Sequence, residues 1–156
     1  MIQWTWQHFD SLTTAELHAI FRLRAEVFVV EQDCVYQDVD GLDPQCWHLQ
    51  GNKGGELGAY ARILSPNLIH ELPSIGRVVT APTWRGGGLG KSLMIRAMEL
   101  CIHLFGDKGI YLGGQSYLGD FYKALGFEQG SAYVEDGIPH HHMTRPGGSP
   151  LPAPKH

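Results

Sequence analysis

Apolar and polar residues alternate over residues 2–9 (Ile-Gln-Trp-Thr-Trp-Gln-His-Phe), the period-two pattern of a half-buried strand. Thr13-x-x-Glu16 then has the form of a capping box. Leu17, Ile20, Phe21, Arg24 (through its aliphatic stem) and Val27/Phe28 follow at helical spacing, so a helix is expected from Thr13 to just before Gln32. An acidic loop leads to Pro44. Residues 47–50 and 56–64 read as strands joined by the hairpin turn Asn52-Lys-Gly-Gly55. A loop around residues 66–73 precedes a strand over 75–80. Residues 89–105 place Leu89, Leu93, Ala97, Leu100 and Leu104 on one face of a long helix. A strand over 110–115, a short helix over 117–125, and a strand pair over 127–134 and 138–144 around Glu135-Asp-Gly137 complete the pattern. Mixed strands and helices with hairpins at both ends predict an α+β fold, a three-layer α/β/α arrangement, and not a doubly wound sheet. One domain is expected over residues 1–145. The proline- and glycine-rich segment 146–156 lacks the residues to pack a core and is expected to be a flexible tail.

Composition narrows the function classes. The 156 residues are 43% hydrophobic and 18% charged, as in a globular domain that buries its own core. No apolar run reaches the roughly eighteen residues of a membrane helix. The opening Met-Ile-Gln-Trp-Thr-Trp has neither the basic nor the apolar region of a secretory signal. Cys34, Cys46 and Cys101 are odd in number and form no C-x-x-C, which fits free thiols in a reducing cytoplasm. A net charge of −4 argues against a nucleic-acid partner and is compatible with a cationic one.

The chemistry concentrates in Ile75-Gly-Arg-Val-Val-Thr-Ala-Pro-Thr-Trp-Arg-Gly-Gly-Gly-Leu-Gly-Lys-Ser-Leu-Met94, an apolar strand, a turn, a basic glycine-rich loop and a helix start. Such a loop turns backbone N–H groups toward one point and adds the positive end of the helix dipole, which suits a pyrophosphate. A P-loop needs G-x-x-x-x-G-K-[ST]. Gly90-Lys91-Ser92 supplies its end, but the first glycine would fall on Arg85. The dinucleotide fingerprint G-x-G-x-x-G fails as well, its third glycine falling on Lys91 or Leu93. What fits is Arg85-x-x-Gly88-x-Gly90. Downstream lies Phe121-Tyr122-x-x-x-Gly126-Phe127. The two motifs, in this order, resemble the hallmarks of the GCN5-related N-acetyltransferases. Leu23-Arg-Ala-Glu-Val-Phe-Val-Val-Glu-Gln32, Asp38-Val-Asp-Gly41, Ala59-Tyr-Ala-Arg62 and Glu135-Asp-Gly-Ile-Pro-His140 resemble the ElaA-type subfamily.

That resemblance implies a mixed, mostly antiparallel sheet of seven strands, splayed where acetyl-CoA binds. Backbone groups of Val78, Val79 and Thr80 would meet the pantetheine. Arg85, Gly86, Gly87, Gly88, Leu89, Gly90 and Lys91 would meet the pyrophosphate, and Gln115, Phe121 and Tyr122 would line the same site. Gly113-Gly114 would clear a path for the arm, or else mark a bulge. Tyr122 is the expected proton donor to the CoA sulfur, since a phenol stays protonated at neutral pH. Glu31, Asp40 and His140 are the candidate bases, and Glu31, Asp38 and Asp40 the candidate acceptor-binding carboxylates. No metal is expected: on a strand His140 and His142 share a face and His141 points away. Expected partners are a small-molecule or peptide amine, no nucleic acid and no membrane, with a C-terminal strand edge open to a second copy. A non-catalytic acyl-CoA sensor on the same fold is the alternative.

Overall fold

The computed structural model describes residues 1–156. Seven strands form one sheet: β1 (Gln3–His8), β2 (Trp47–Lys53), β3 (Glu56–Leu64), β4 (Ser74–Thr80), β5 (Ile110–Gln115), β6 (Glu128–Glu135) and β7 (Ile138–Arg145), in the spatial order β1-β2-β3-β4-β5-β7-β6. All neighbours are antiparallel except β4 and β5. Those two run parallel and share a single register pair, Ser74 with Tyr111. Past that pair they part.

Helix α1 (Thr14–Arg24) opens on the predicted capping box: Glu16 N–H donates to Thr13 Oγ1 (3.1 Å) and Thr13 N–H to Glu16 Oε1 (2.9 Å). The chain then widens into a π-helix over Ala25–Glu31, a winding that hydrophobic spacing does not announce. Helix α2 (Leu89–Phe105) has the predicted bounds. A 3₁₀ turn over Ser116–Leu118 leads into the short α3 (Gly119–Ala124).

The helices cover both faces of the sheet, giving the three expected layers. Ile20, Leu23 and Val27 pack on Tyr60, Val79 and Ala81 on one face. On the other, Leu93, Met94, Ala97, Met98 and Cys101 of α2 pack on Ala61, Ile63, Ile110 and Leu112. Arg24 departs from expectation. It is 0% exposed over its whole length, guanidinium included, because buried carboxylates meet it. The segment after Arg145 was expected to extend free. It runs back over α2, with Leu151 against the main core and the backbone N–H groups of Lys155 and His156 donating to Ser92 Oγ (3.1 and 3.2 Å). Arg145 starts this path by donating to the carbonyls of Ser149 and Pro150 (3.0 and 3.3 Å). No helix is long and apolar enough to cross a membrane.

Trp84 touches both cores just ahead of the glycine-rich loop, and its indole lies directly over Gly58 of β3, where a Cβ would overlap the ring. Gly58→Ala is expected to lower stability by about 1–3 kcal/mol, the usual cost of forcing a side chain into a filled space. Urea denaturation checks this through a lower midpoint at unchanged slope.

Candidate active site

Where β4 and β5 diverge, a cavity of about 1000 Å³ runs through the sheet. At one end stands the glycine-rich loop. Gly86, Gly87 and Gly88 take φ of +96°, +65° and +81°, a left-handed path that only glycine follows freely. A Cβ on Gly86 or Gly87 would meet nothing within 4 Å, so the bend faces open space. Gly88 is the N-terminal flanking residue of α2, and Ser92 N–H bonds to its carbonyl (3.1 Å). The N–H groups of Leu89, Gly90 and Lys91, in the first turn of α2, have no partner within the helix. This is the geometry of an anion site.

Of the residues expected at the cofactor, Val78, Val79, Thr80, Arg85, Gly90, Gln115, Phe121 and Tyr122 all line the cavity. Gly86, Gly87, Gly88, Leu89 and Lys91 belong to the loop and helix start beside it. Tyr122 is 7% exposed, its ring flanked by Phe121 and Phe127 (centroids 5.1 and 6.1 Å). Burial pushes its phenol up to about 12, so it remains protonated at neutral pH. The paired glycines make room for the protein's own rings: a Cβ on Gly114 would press on the Tyr122 ring, and one on Gly113 on the Tyr133 hydroxyl.

The widened turns of the π-helix carry Glu31 and Gln32 to the cavity wall. Glu31 forms a two-pronged pair with Arg85, Nη1 to Oε2 at 3.0 Å and Nη2 to Oε1 at 2.7 Å. Gln32 Oε1 accepts from Gln115 Nε2 (3.3 Å), joining the helix end to β5. His140 lies opposite Gln115 on β7. Its Nδ1 is 2.7 Å from the Ile138 carbonyl. A carbonyl only accepts, so Nδ1 carries the proton and Nε2 of the neutral ring keeps the lone pair.

The acidic loop is engaged from within. Arg24 donates from Nε to Asp38 Oδ2 (2.9 Å) and from Nη1 to Asp43 Oδ1 (2.7 Å). Arg62 grips Asp40 through both Nη groups (2.9 Å each) and also reaches Asp43 (3.1 Å). Arg77 lies against Asp38 (2.9 Å) and Asp40 (3.2 Å), and Tyr36 donates to Asp38 (2.7 Å). Asp38, expected at the acceptor, is therefore buried in ion pairs. Asp40 keeps a face on the cavity but is doubly held. Burial raises the Asp40 carboxyl, but the hydrogen bonds and charge of Arg62 outweigh it and bring the pKa down to about 2. Arg77 sits where β4 holds one residue more than β3, at φ +50°, a conformation unusual for arginine. Glu135 and Asp136, in the β6–β7 hairpin, line the cavity with no ion-pair partner. Sequence spacing did not single out Tyr36, Arg77, Tyr111 or Tyr133. The available signal was Tyr111-x-Gly113-x-Gln115, three alternate positions on one face of β5. No group of three or more histidine, cysteine or acidic side chains is placed to hold a metal ion.

A domain model described as an acetyltransferase (GNAT) domain matches residues 19–145. The chain is 45% identical over 148 residues to Protein ElaA of Escherichia coli strain K12, covering 93% of this chain and 97% of that protein. The crystal structure of E. coli ElaA superposes with a TM-score of 0.87 at 44% identity, covering 93% of this chain and 99% of the other. An acyl-CoA N-acyltransferase from Pseudomonas aeruginosa superposes with a TM-score of 0.88 at 45% identity, again over 93% and 99%.

Two outcomes follow from the ion pairs. Arg24→Met leaves Asp38 and Asp43 short of a buried partner and is expected to cost about 3–5 kcal/mol, read from chemical denaturation. The Asp40 carboxyl is lower in the folded chain than in the unfolded one. Its contribution is therefore complete above the unfolded pKa of about 3.9 and is lost as pH falls toward about 2. Denaturation midpoints should drop across that window, and by less in Asp40→Asn than in the parent chain.

Proposed function

Since the chain belongs to the GNAT acetyltransferase family, we propose that it transfers the acetyl group of acetyl-CoA to a primary amine by direct attack, both substrates being bound together. The observation that carries this reading is the convergence on one cavity of an anion-binding loop, a buried protonated Tyr122, and His140 with a free lone pair. Likeness to an acyl-CoA N-acyltransferase of P. aeruginosa supports the acyl-CoA part.

In this reading the N–H groups of Leu89, Gly90 and Lys91 hold the pyrophosphate, joined by Arg85. Each charge-assisted bond is worth about 1.5–3 kcal/mol. The edge of β4 over Val78, Val79 and Thr80 that has no partner on β5 receives the pantetheine as a sheet edge receives a strand. Phe121 and Gln115 bound the arm. Tyr122 donates a hydrogen bond to the sulfur as negative charge grows there. The phenol ionises only with difficulty, and the same burial disfavours a bare thiolate, so sharing a proton between them relieves both.

An alkylammonium has to lose a proton before it attacks. His140 lines the cavity with its Nδ1–H already spent on the Ile138 carbonyl, so its Nε2 takes that proton. The acceptor's positive charge is met at the mouth by Glu135 and Asp136, and by Glu31 once the phosphates compete for Arg85. Asp38 and Asp40 serve instead to position Arg77 and the loop.

Tyr122→Phe keeps the ring and removes the hydroxyl. The maximal rate should fall by about 10²–10⁴ while acetyl-CoA affinity changes little. CoA release measured over a panel of amines tests the whole reading. Cationic primary amines should turn over best, with affinity weakening as salt rises. Full activity in Tyr122→Phe would return that residue to packing, and exclusive use of anionic amines would reject the acidic mouth.

A further inference from the structure

The family match ends at Arg145, yet residues 146–156 follow a built path beyond it. Gly147 lies so close to the Asp107 carbonyl that a Cβ would overlap it, and Gly148 N–H donates to Asp107 Oδ2 (2.9 Å). The chain then crosses α2, with Leu151 against the core and prolines at positions 150, 152 and 154. Prolines at alternate positions hold the backbone extended before it docks, so less conformational freedom is lost on the helix. Ser92, 1% exposed, fixes the far end. Its Oγ accepts from the N–H groups of Lys155 (3.1 Å) and His156 (3.2 Å) and gives its own proton to His156 Nδ1 (2.9 Å). Arg96 donates to the His156 carbonyl from Nε (3.3 Å) and Nη2 (3.0 Å).

Ser92 also ties this end to the glycine-rich loop, because its own N–H closes the first turn of α2 on the Gly88 carbonyl (3.1 Å). Lys155 passes alongside: its Cδ stands 3.9 Å from where a Gly88 Cβ would be. The ammonium follows by one further methylene. It is exposed, and no carboxylate pairs with it. The tail therefore carries a free cation to the edge of the loop and is fastened there by a buried hydroxyl.

We propose that Lys155 is a cofactor-binding residue, brought to the phosphates of acyl-CoA by the docked tail. This rests on the acyl-transfer reading above, which puts the pyrophosphate on the same loop. The ammonium adds a positive charge to the N–H groups of Leu89, Gly90 and Lys91 at that anion. Ser92 and Arg96 are positioning residues, since they hold the tail and act on the cofactor only through it. A tail loose in solution would carry the same charge but would lose its freedom anew each time the cofactor bound. Docking in advance removes that cost.

Lys155→Glu keeps the backbone contacts of the tail and reverses the charge beside Gly88. Calorimetry with CoA should show binding weakened about tenfold, the scale of one charge-assisted bond. The loss should shrink as salt rises, because an exposed charge is screened. With an amine that turns over, kcat/KM should fall for acetyl-CoA and stay unchanged for S-acetylpantetheine, which has the thioester arm but no phosphate. A purely structural role for the tail would lower both alike. Ser92→Ala removes the acceptor that fastens the tail. It should weaken CoA binding about threefold in the parent chain and add nothing to Lys155→Ala, since the two act through one ammonium. Unchanged CoA affinity in a folded Lys155→Glu chain would overturn the assignment of Lys155 alone. Equal losses for acetyl-CoA and S-acetylpantetheine would do the same, as would a full Ser92→Ala effect on top of Lys155→Ala. No binding of CoA by the parent chain would remove the acyl-transfer reading, and the role of Lys155 with it.

Discussion

Parallel strands β4 and β5 meet at Ser74 and Tyr111 and then separate, so backbone N–H and C=O groups on both facing edges go without the ladder partners that every other interior edge of the sheet has. Unpaired backbone groups inside a sheet are costly unless something else satisfies them. A splay of this kind persists because the rest of the molecule props it open. α2 and α3 pack across it on one face, α1 and the π-helix on the other, and the glycine-rich loop closes one end. The cavity is the consequence, and each group with plausible chemistry is placed by reference to it.

On the β4 side the opening is held by charge. Arg24, Arg62 and Arg77 come from α1, β3 and β4, and they share Asp38, Asp40 and Asp43 from one loop. Three positive and three negative groups balance. Planar guanidinium forks fix carboxylates in direction as well as distance, which lysine would not do. The desolvation of so many charges leaves little net stability, but it leaves the loop one place to sit. His48 completes the arrangement between Tyr60 (2.7 Å) and the Asp43 carbonyl (3.0 Å), its pKa lowered by burial. The bulge that turns Arg77 inward thus has its partners waiting.

On the β5 side the opening is held by rings. Gly113 and Gly114, adjacent on one strand, point to opposite faces of the sheet, and each yields its side-chain space to a tyrosine, Tyr133 on one face and Tyr122 on the other. Two tyrosines therefore approach the same stretch of strand from opposite sides. A local doublet of glycines does not reveal which tyrosines these are, since Tyr133 arrives from a strand two positions away in the sheet.

Hydrophobic spacing and local motifs determined the seven strands and three α-helices, the bounds of α2 and β5, and the capping box of α1, because each depends on residues within a turn or two of one another. Two motifs that lie close in the chain were enough for the family, since the glycine loop and the short helix carry their chemistry locally. What spacing could not determine depends on partners far apart in sequence. Arg24 reads as an apolar-face position by its stem and becomes a buried ion only because Asp38 and Asp43 fold back on it. The acidic run reads as a free anionic surface until Arg62 and Arg77 are brought to it. The proline-rich tail reads as mobile until the Ser92 hydroxyl, one turn into α2, gives its N–H groups an acceptor. A charge or a hydroxyl is legible in sequence, but its partner is a fact of three dimensions, and the partner decides whether the group is free to act.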